Sequence, residues 1–180
     1  EVVVSVNKWE QKLNEVPNKI TKINKTEIIR NNPQTAADLL GQTGTVFIQK
    51  SQLGGGSPMI RGFATNRILL VIDGVRMNNA IYRSGNLQNI ISIDALGTQT
   101  AEVIFGPGSL IYGSDAIGGV MDFHSLNAGF SKDKKMLVSG SALARYSTAN
   151  KENTFHADIN LGFKRWSLLS SVTYSKFDDL

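Results

Sequence analysis

The plainest signal in the chain is a two-residue period. From Phe155 to Phe163, the apolar residues Phe155, Ala157, Ile159, Leu161 and Phe163 alternate with His156, Asp158, Asn160 and Gly162. An extended backbone there presents one apolar and one polar face. A second run sets Trp166, Leu168, Ser170, Val172 and Tyr174 against Ser167, Leu169, Ser171, Thr173 and Ser175, and Lys164-Arg165 reads as the turn between the two. A weaker run spans Met136 to Tyr146, with the small residues Gly140, Ala142 and Ala144 on one face. Alternating segments of about ten residues, joined by tight turns and edged with aromatics, are the pattern of membrane-spanning β-barrel strands. An antiparallel sheet with one face on a water-soluble core has the same period. Alternation alone leaves the water-soluble sheet ahead.

Upstream the texture changes. Gly41 to Gly119 holds 14 of the 17 glycines, enough to let backbone pass close to backbone, interspersed with short apolar runs. Thr45 to Lys50 alternates, and Met59-Ile60-Arg61 predicts a brief strand. Ile68 to Ile72 is apolar on both faces, as a strand interior to a sheet should be. Asp73-Gly74 predicts a tight hairpin turn into Val75-Arg76-Met77. Ala101 to Phe105 predicts a strand stopped by Gly106-Pro107-Gly108, and Val120 to His124 predicts another.

Residues 1 to about 34 are polar and rich in Lys and Asn. Glu1 to Val6 is a β-branched run with nothing beside it to cover both its faces, a strand in want of a partner. Lys19 to Ile23 predicts a short strand. Thr35-Ala36-Ala37-Asp38-Leu39-Leu40 reads as a capping box opening a helix that ends at Gly41 or Gly44. The expected fold class is α+β, a small mixed sheet with short helices, followed by antiparallel strands.

Composition removes several alternatives. Charged residues make up 19% of the 180, below the roughly 25% of soluble domains, which argues against intrinsic disorder. The absence of cysteine excludes disulfides, thiolate zinc sites and cysteine nucleophiles. The longest aliphatic run, Ile68 to Ile72, is far short of the ~20 residues a membrane-spanning helix needs. The net charge of +4 is local: residues 1–129 carry 11 basic and 10 acidic side chains, and residues 130–180 carry 8 and 5. The excess sits at Lys132, Lys134 and Lys135 beside an alternating segment, where a solvated turn explains it better than a phosphate track. No nucleic-acid partner is expected.

Candidate chemistry is sparse. Gly54-Gly55-Gly56-Ser57 lacks the Lys-Ser/Thr ending of a phosphate loop, and no Gly-x-Gly-x-x-Gly follows a strand. His124 and His156 lie in unrelated strands, with His156 on the polar side beside Asp158. Asp73, Asp94, Asp115 and Asp122 invite a reading as paired carboxylates, but a turn accounts for Asp73 and a loop for Asp115. No catalytic residue, metal site or cofactor is expected.

Three blocks then align with something known. These are Ile60-Arg61-Gly62-Phe63, the run from Asn66 through Asp73-Gly74 to Asn78, and the run from Ala101 through Gly106-Pro107-Gly108 and Tyr112-Gly113-Ser114-Asp115 to Val120. In order and spacing they resemble the plug domain of TonB-dependent outer-membrane receptors, over about Val2 to His124. The resemblance implies an active transporter whose barrel, usually 22-stranded, is blocked from inside by this plug. A barrel of that size needs several hundred residues, so the 180 residues are expected to be part of a longer chain.

On this reading residues 1–16 are a TonB box and linker, 17–129 the plug, and 130–180 the start of the barrel. Glu1, Val2, Val3, Val4, Ser5 and Val6 would add as a strand to TonB of the inner-membrane energy-coupling complex. Loops carrying Gln52, Leu53, Asn78, Asn79, Tyr82, Arg83 and Asn86 would face a small-molecule substrate. Arg61 matches an arginine that pairs with barrel glutamates in many members, whereas Phe105 stands where a second arginine is common. The segment Arg76 to Asn89 looks most like the haem and haem-protein branch, which implies import of haem or an iron chelate. Import of carbohydrate or peptide, or signal transduction, is the alternative within the same family.

Overall fold

The computed structural model describes residues 2–3, 11–50, 56–64, 67–77, 90, 92–133, 135–148 and 151–177. They divide into two compact units, Glu1–Ser125 and Leu126–Leu180.

The first unit opens with β1 (Val2–Val3) paired antiparallel to β2 (Gln11–Lys12), followed by a single 3-10 turn at Leu13–Glu15. Next come β3 (Ile20–Asn24), α1 (Lys25–Asn31) and α2 (Ala36–Gly41). A small antiparallel sheet follows, from β4 (Phe47–Lys50), β5 (Gly56–Ile60) and β6 (Phe63–Ala64). The remaining elements are β7 (Ile68–Ile72), β8 (Val75–Arg76), β9 (Thr98–Phe105), α3 (Ser109–Tyr112) and β10 (Gly119–Ser125).

The main sheet has the order β3-β9-β10-β7-β8, with β10 parallel to β7 and the other neighbours antiparallel. It is the expected mixed sheet with short helices. Both of its faces are covered, which is why Ile68 to Ile72 and Val103 to Phe105 read as unbroken apolar runs. One face places Ile23, Ala101, Val103, Met121, Phe123, Ile68 and Leu70 in a core shared with Ile28 of α1 and Leu39 and Leu40 of α2. The other gathers Leu69, Val71, Ile104 and Val120 with Tyr112 and Ala116. Each such side chain, fully buried, contributes on the order of 1.5–3 kcal/mol.

Local chemistry sets the element ends. Asp73 and Gly74 both adopt positive φ, 48° and 82°, the pair that a two-residue hairpin between twisted strands requires. β5 stops one residue short of Arg61, because Arg61 and Gly62 turn with φ of 48° and 83°. Thr35 and Asp38 form the reciprocal capping box of α2, as the sequence predicts. At Gly119 a side chain would meet the Ile104 carbonyl oxygen at 2.7 Å, so only glycine lets β10 and β9 lie this close.

The second unit is an antiparallel meander of β11 (Leu137–Ser147), β12 (Glu152–Gly162) and β13 (Ser167–Lys176). Lengths of 11, 11 and 10 residues suit strands that cross a bilayer at a tilt. The register aligns Ala144, Phe155 and Tyr174, then Ala142, Ala157 and Val172, then Val138, Leu161 and Leu168, in rows across one face. Phe155, Ile159, Leu168, Val172 and Tyr174 on that face are exposed. At the Lys164-Arg165 turn, the Phe163 and Trp166 rings stack with centroids 3.9 Å apart, and the Phe163 N–H donates to the Trp166 carbonyl at 2.8 Å.

Candidate functional site

The N-terminal strand expected to await a partner has one within the described residues. Val2 pairs with Lys12 and Val3 with Gln11, and Val3 is buried. Glu1, Val4, Ser5 and Val6 lie outside the described residues, as do Gln52, Leu53, Asn78, Asn79, Tyr82, Arg83 and Asn86.

Arg61 is described, and its surroundings explain what Phe105 does at the position where a second arginine is common. The Arg61 guanidinium carbon lies 5.7 Å from the centre of the Phe105 ring, and Lys19 Nζ lies 5.5 Å from the same centre. The Phe105 N–H also donates to the Lys19 carbonyl at 3.0 Å, which ties the start of β3 to the end of β9. An aromatic face attracts both cations, by about 0.5–1 kcal/mol at exposed positions. Arg61 is itself exposed and so open to a further partner.

The loop after β9 is held by a cross-chain clasp. Arg76 Nη2 donates to Asp115 Oδ2 at 2.7 Å, and Gly113, at φ 93°, passes close to the Arg76 guanidinium. Asp73 fixes the other end of the hairpin, its Oδ1 accepting the Ser125 N–H at 2.9 Å. These contacts join the sequence blocks around Asp73-Gly74 and Gly113-Ser114-Asp115 into one feature.

Sequence reasoning missed a polar row inside the main sheet. Lys22, Glu102 and Asp122 are lateral neighbours on β3, β9 and β10. Lys22 Nζ is 3.8 Å from Glu102 Oε1. Tyr112 donates its hydroxyl to Asp122 Oδ2 at 3.3 Å, and His124 Nε2 lies 3.8 Å from the same oxygen. Burial, opposed by His124 and the Tyr112 hydroxyl and aided by Glu102 and Asp73, pushes the Asp122 carboxyl up to about 6. Burial, reinforced by Asp122, holds the Tyr112 phenol well above its ordinary value. Only strand register brings these residues together, so no spacing in the sequence announces them.

In the second unit the polar face carries its own network. Arg145 Nη2 pairs with Glu152 Oε1 at 2.5 Å, and Thr154 Oγ1 donates to the same carboxylate oxygen at 2.6 Å. His156 Nδ1 shares a hydrogen bond with Thr173 Oγ1 at 2.6 Å, and its Nε2 lies 3.4 Å from Asp158 Oδ2, on the polar side as the alternation predicts. Among the described residues no group of three or more acidic or histidine side chains could hold a metal ion. Among them, too, no helix is long and apolar enough to cross a membrane.

Comparison with known proteins decides among the readings of this architecture. Residues 12–120 match the TonB-dependent Receptor Plug Domain family. The chain belongs to that family. It is also 37% identical over 158 residues to the vitamin B12 transporter BtuB of Vibrio vulnificus strain CMCP6, an alignment covering 86% of this chain and 24% of that protein. BtuB of strain YJ016 is 35% identical over 145 residues. The chain spans about a quarter of the length of these relatives.

Solved structures share the fold. The alcaligin outer-membrane receptor FauA from Bordetella pertussis superposes with a TM-score of 0.73 at 14% identity, over 99% of this chain and 30% of that one. The copper transporter OprC gives 0.71 at 19% identity, over 89% and 24%. The named relatives are transporters and outer-membrane receptors. The specific haem branch suggested by Arg76 to Asn89 has no counterpart among these relatives, which include transporters of vitamin B12 and receptors for siderophores.

Proposed function

We propose that this chain is the plug-bearing part of a TonB-dependent outer-membrane importer of a large metal chelate, with a corrinoid as the first candidate. The observation that carries the substrate is the 37% identity to a vitamin B12 transporter across 86% of the chain. On this reading residues 1–16 are box and linker, 17–129 the plug that gates the barrel, and 130–180 the first barrel strands. Haem is the second candidate, favoured by the character of Arg76 to Asn89.

The energy must arrive mechanically, because an outer membrane has no nucleoside triphosphate beside it. Glu1 to Val6 would pair with TonB by strand addition, in which main-chain hydrogen bonds supply the affinity. Among the described residues Val2 and Val3 already lie extended in a ladder with Gln11 and Lys12, the conformation that strand addition uses. Gln52, Leu53, Asn78, Asn79, Tyr82, Arg83 and Asn86 would supply amide, aromatic and cationic contacts to the ligand. Arg61, exposed and steadied by Phe105, would take a carboxylate of the barrel as its further partner.

The test is a titration of the whole receptor with cobalamin, haem and a ferric siderophore. Saturable binding of cobalamin alone is expected. Binding of haem alone would install the second candidate, and binding of none would overturn metal-chelate import. Deleting residues 1–6 should abolish uptake while leaving that binding intact; uptake by the deleted receptor would remove the box assignment.

A further inference from the structure

The polar row in the main sheet calls for an explanation, because it puts two carboxylates side by side where water does not reach. Glu102 and Asp122 are directly opposed across the β9–β10 ladder, with relative exposures of 1% and 4%. The Coulomb repulsion between two such charges is large at low dielectric.

The groups around Asp122 can be taken element by element. From β3, Lys22 engages Glu102, 3.8 Å away. From β8, Arg76 lies in the same row but directs its guanidinium to Asp115 at 2.7 Å. From β7 the neighbour in register is the apolar Val71, with Asp73 beyond it. Tyr112 from α3 donates to Asp122 Oδ2, and His124 on β10 stands 3.8 Å from that oxygen. The other carboxylate oxygen, Oδ1, is buried with no hydrogen-bond partner, and so is His124 Nε2. An ionised carboxylate pays far more for an unsatisfied oxygen in such a place than a neutral, protonated one does.

We propose that Asp122 is a proton-operated latch at the centre of the plug sheet. With its carboxyl protonated, β9 and β10 lie together without repulsion between Asp122 and Glu102. With the proton lost, two adjacent buried charges and an unsatisfied oxygen weaken the ladder, and β10 separates from β9 more readily. The inference rests on the geometry of the first unit alone and holds whichever substrate the receptor carries.

The sign follows from linkage. Burial raises the carboxyl from its ordinary 3.8 to about 6 in the folded sheet, so folded Asp122 holds its proton more tightly than unfolded Asp122. Its stabilising contribution is therefore fully present below about 3.8 and is lost as pH rises through about 6. Between pH 5 and pH 7 the opening equilibrium of the ladder should rise about tenfold.

Hydrogen–deuterium exchange of the β9 and β10 amides, in the whole receptor and corrected for intrinsic exchange, measures this directly. Wild-type protein should show the tenfold loss of protection, and Asp122→Asn, which keeps the shape of the protonated acid, should show none. Tyr112→Phe removes the donor that favours the ionised form and should move the midpoint to higher pH. A wild-type ladder equally protected at both pH values would overturn the latch. So would an unchanged slope in Asp122→Asn, or a Tyr112→Phe midpoint that stays put or moves down.

Discussion

The two units of this chain use the same pleated strand to opposite ends. In the plug unit the strands of the main sheet are covered on both sides, and Phe123, Met121, Leu69 and Val103 are all but inaccessible. In the meander the apolar row is the open one. Phe155, Ile159, Val172 and Tyr174 are 48–63% exposed, while Glu152, Thr154, His156 and Asn160 on the polar face are buried. The first arrangement hides apolar surface from water. The second is what the proposed barrel reading expects of a wall surrounded by lipid, where apolar side chains have no reason to turn inward. Period therefore reports the pleat of a strand and not which solvent it faces; that has to come from what lies around it.

Two phenylalanines test the contrast most strongly. Phe123 is 1% exposed in the plug core, and Phe123→Ala should cost about 3–5 kcal/mol, since the cavity cannot collapse between sheet and helices. Phe155→Ala, at a position 48% exposed, should cost below about 1 kcal/mol. Urea unfolding of the two variants of the whole receptor in detergent gives the comparison. A cost at Phe155 equal to that at Phe123 would mean that protein, not lipid, covers the outer row.

A charge sharpens the same point. Lys in place of Ile159, near the middle of β12, should destabilise insertion by about 2–4 kcal/mol if the row meets the bilayer midplane. On the polar side of β13, Ser171→Lys should cost well under that. Folding into lipid vesicles, followed by the gel-mobility shift of folded barrels, reads both. If Ile159→Lys inserts as well as the unmodified receptor, the outer row is in water and the contrast between the units fails.

Much of this was legible in the residues. The alternating rows, the Lys164-Arg165 turn, the Asp73-Gly74 hairpin and the Thr35 capping box each depend on neighbours within a few positions, and each is where the pattern puts it. Helix α1 was overlooked although its signal is present. Asn24 and Glu27 form a capping box, with Asn24 Oδ1 accepting the Glu27 N–H at 3.0 Å, but the helix buries only Ile28 and so has little apolar period. The Lys22–Glu102–Asp122 row could not be read at all. Its members come from three strands separated by up to 100 positions, and the row exists only because β3, β9 and β10 pair in this register. Asp122 taken singly looked like one more acidic residue. The proposed ligand contacts lie outside the described residues.

The smallest effect expected concerns how each unit finishes its backbone. The meander satisfies its interior amides across the ladder, whereas the plug has helix ends whose first N–H groups need separate acceptors. α2 is only six residues long and buries Ala36, Ala37, Leu39 and Leu40, so its first turn cannot fray into water without uncovering core. Thr35 Oγ1 accepts the Asp38 N–H at 3.2 Å, and Asp38 Oδ2 accepts the Thr35 N–H at 3.1 Å. Thr35→Ala removes one half of this exchange and leaves the other, so it should cost about 1 kcal/mol. Thr35→Ser keeps the acceptor and should cost far less. Because the loss is confined to the plug, amide protection should fall in α2 and in β4 and β5, which pack on it, while β11 to β13 keep theirs. Equal losses in both units would show that they open together, and the contrast drawn between them would then describe surfaces but not stability.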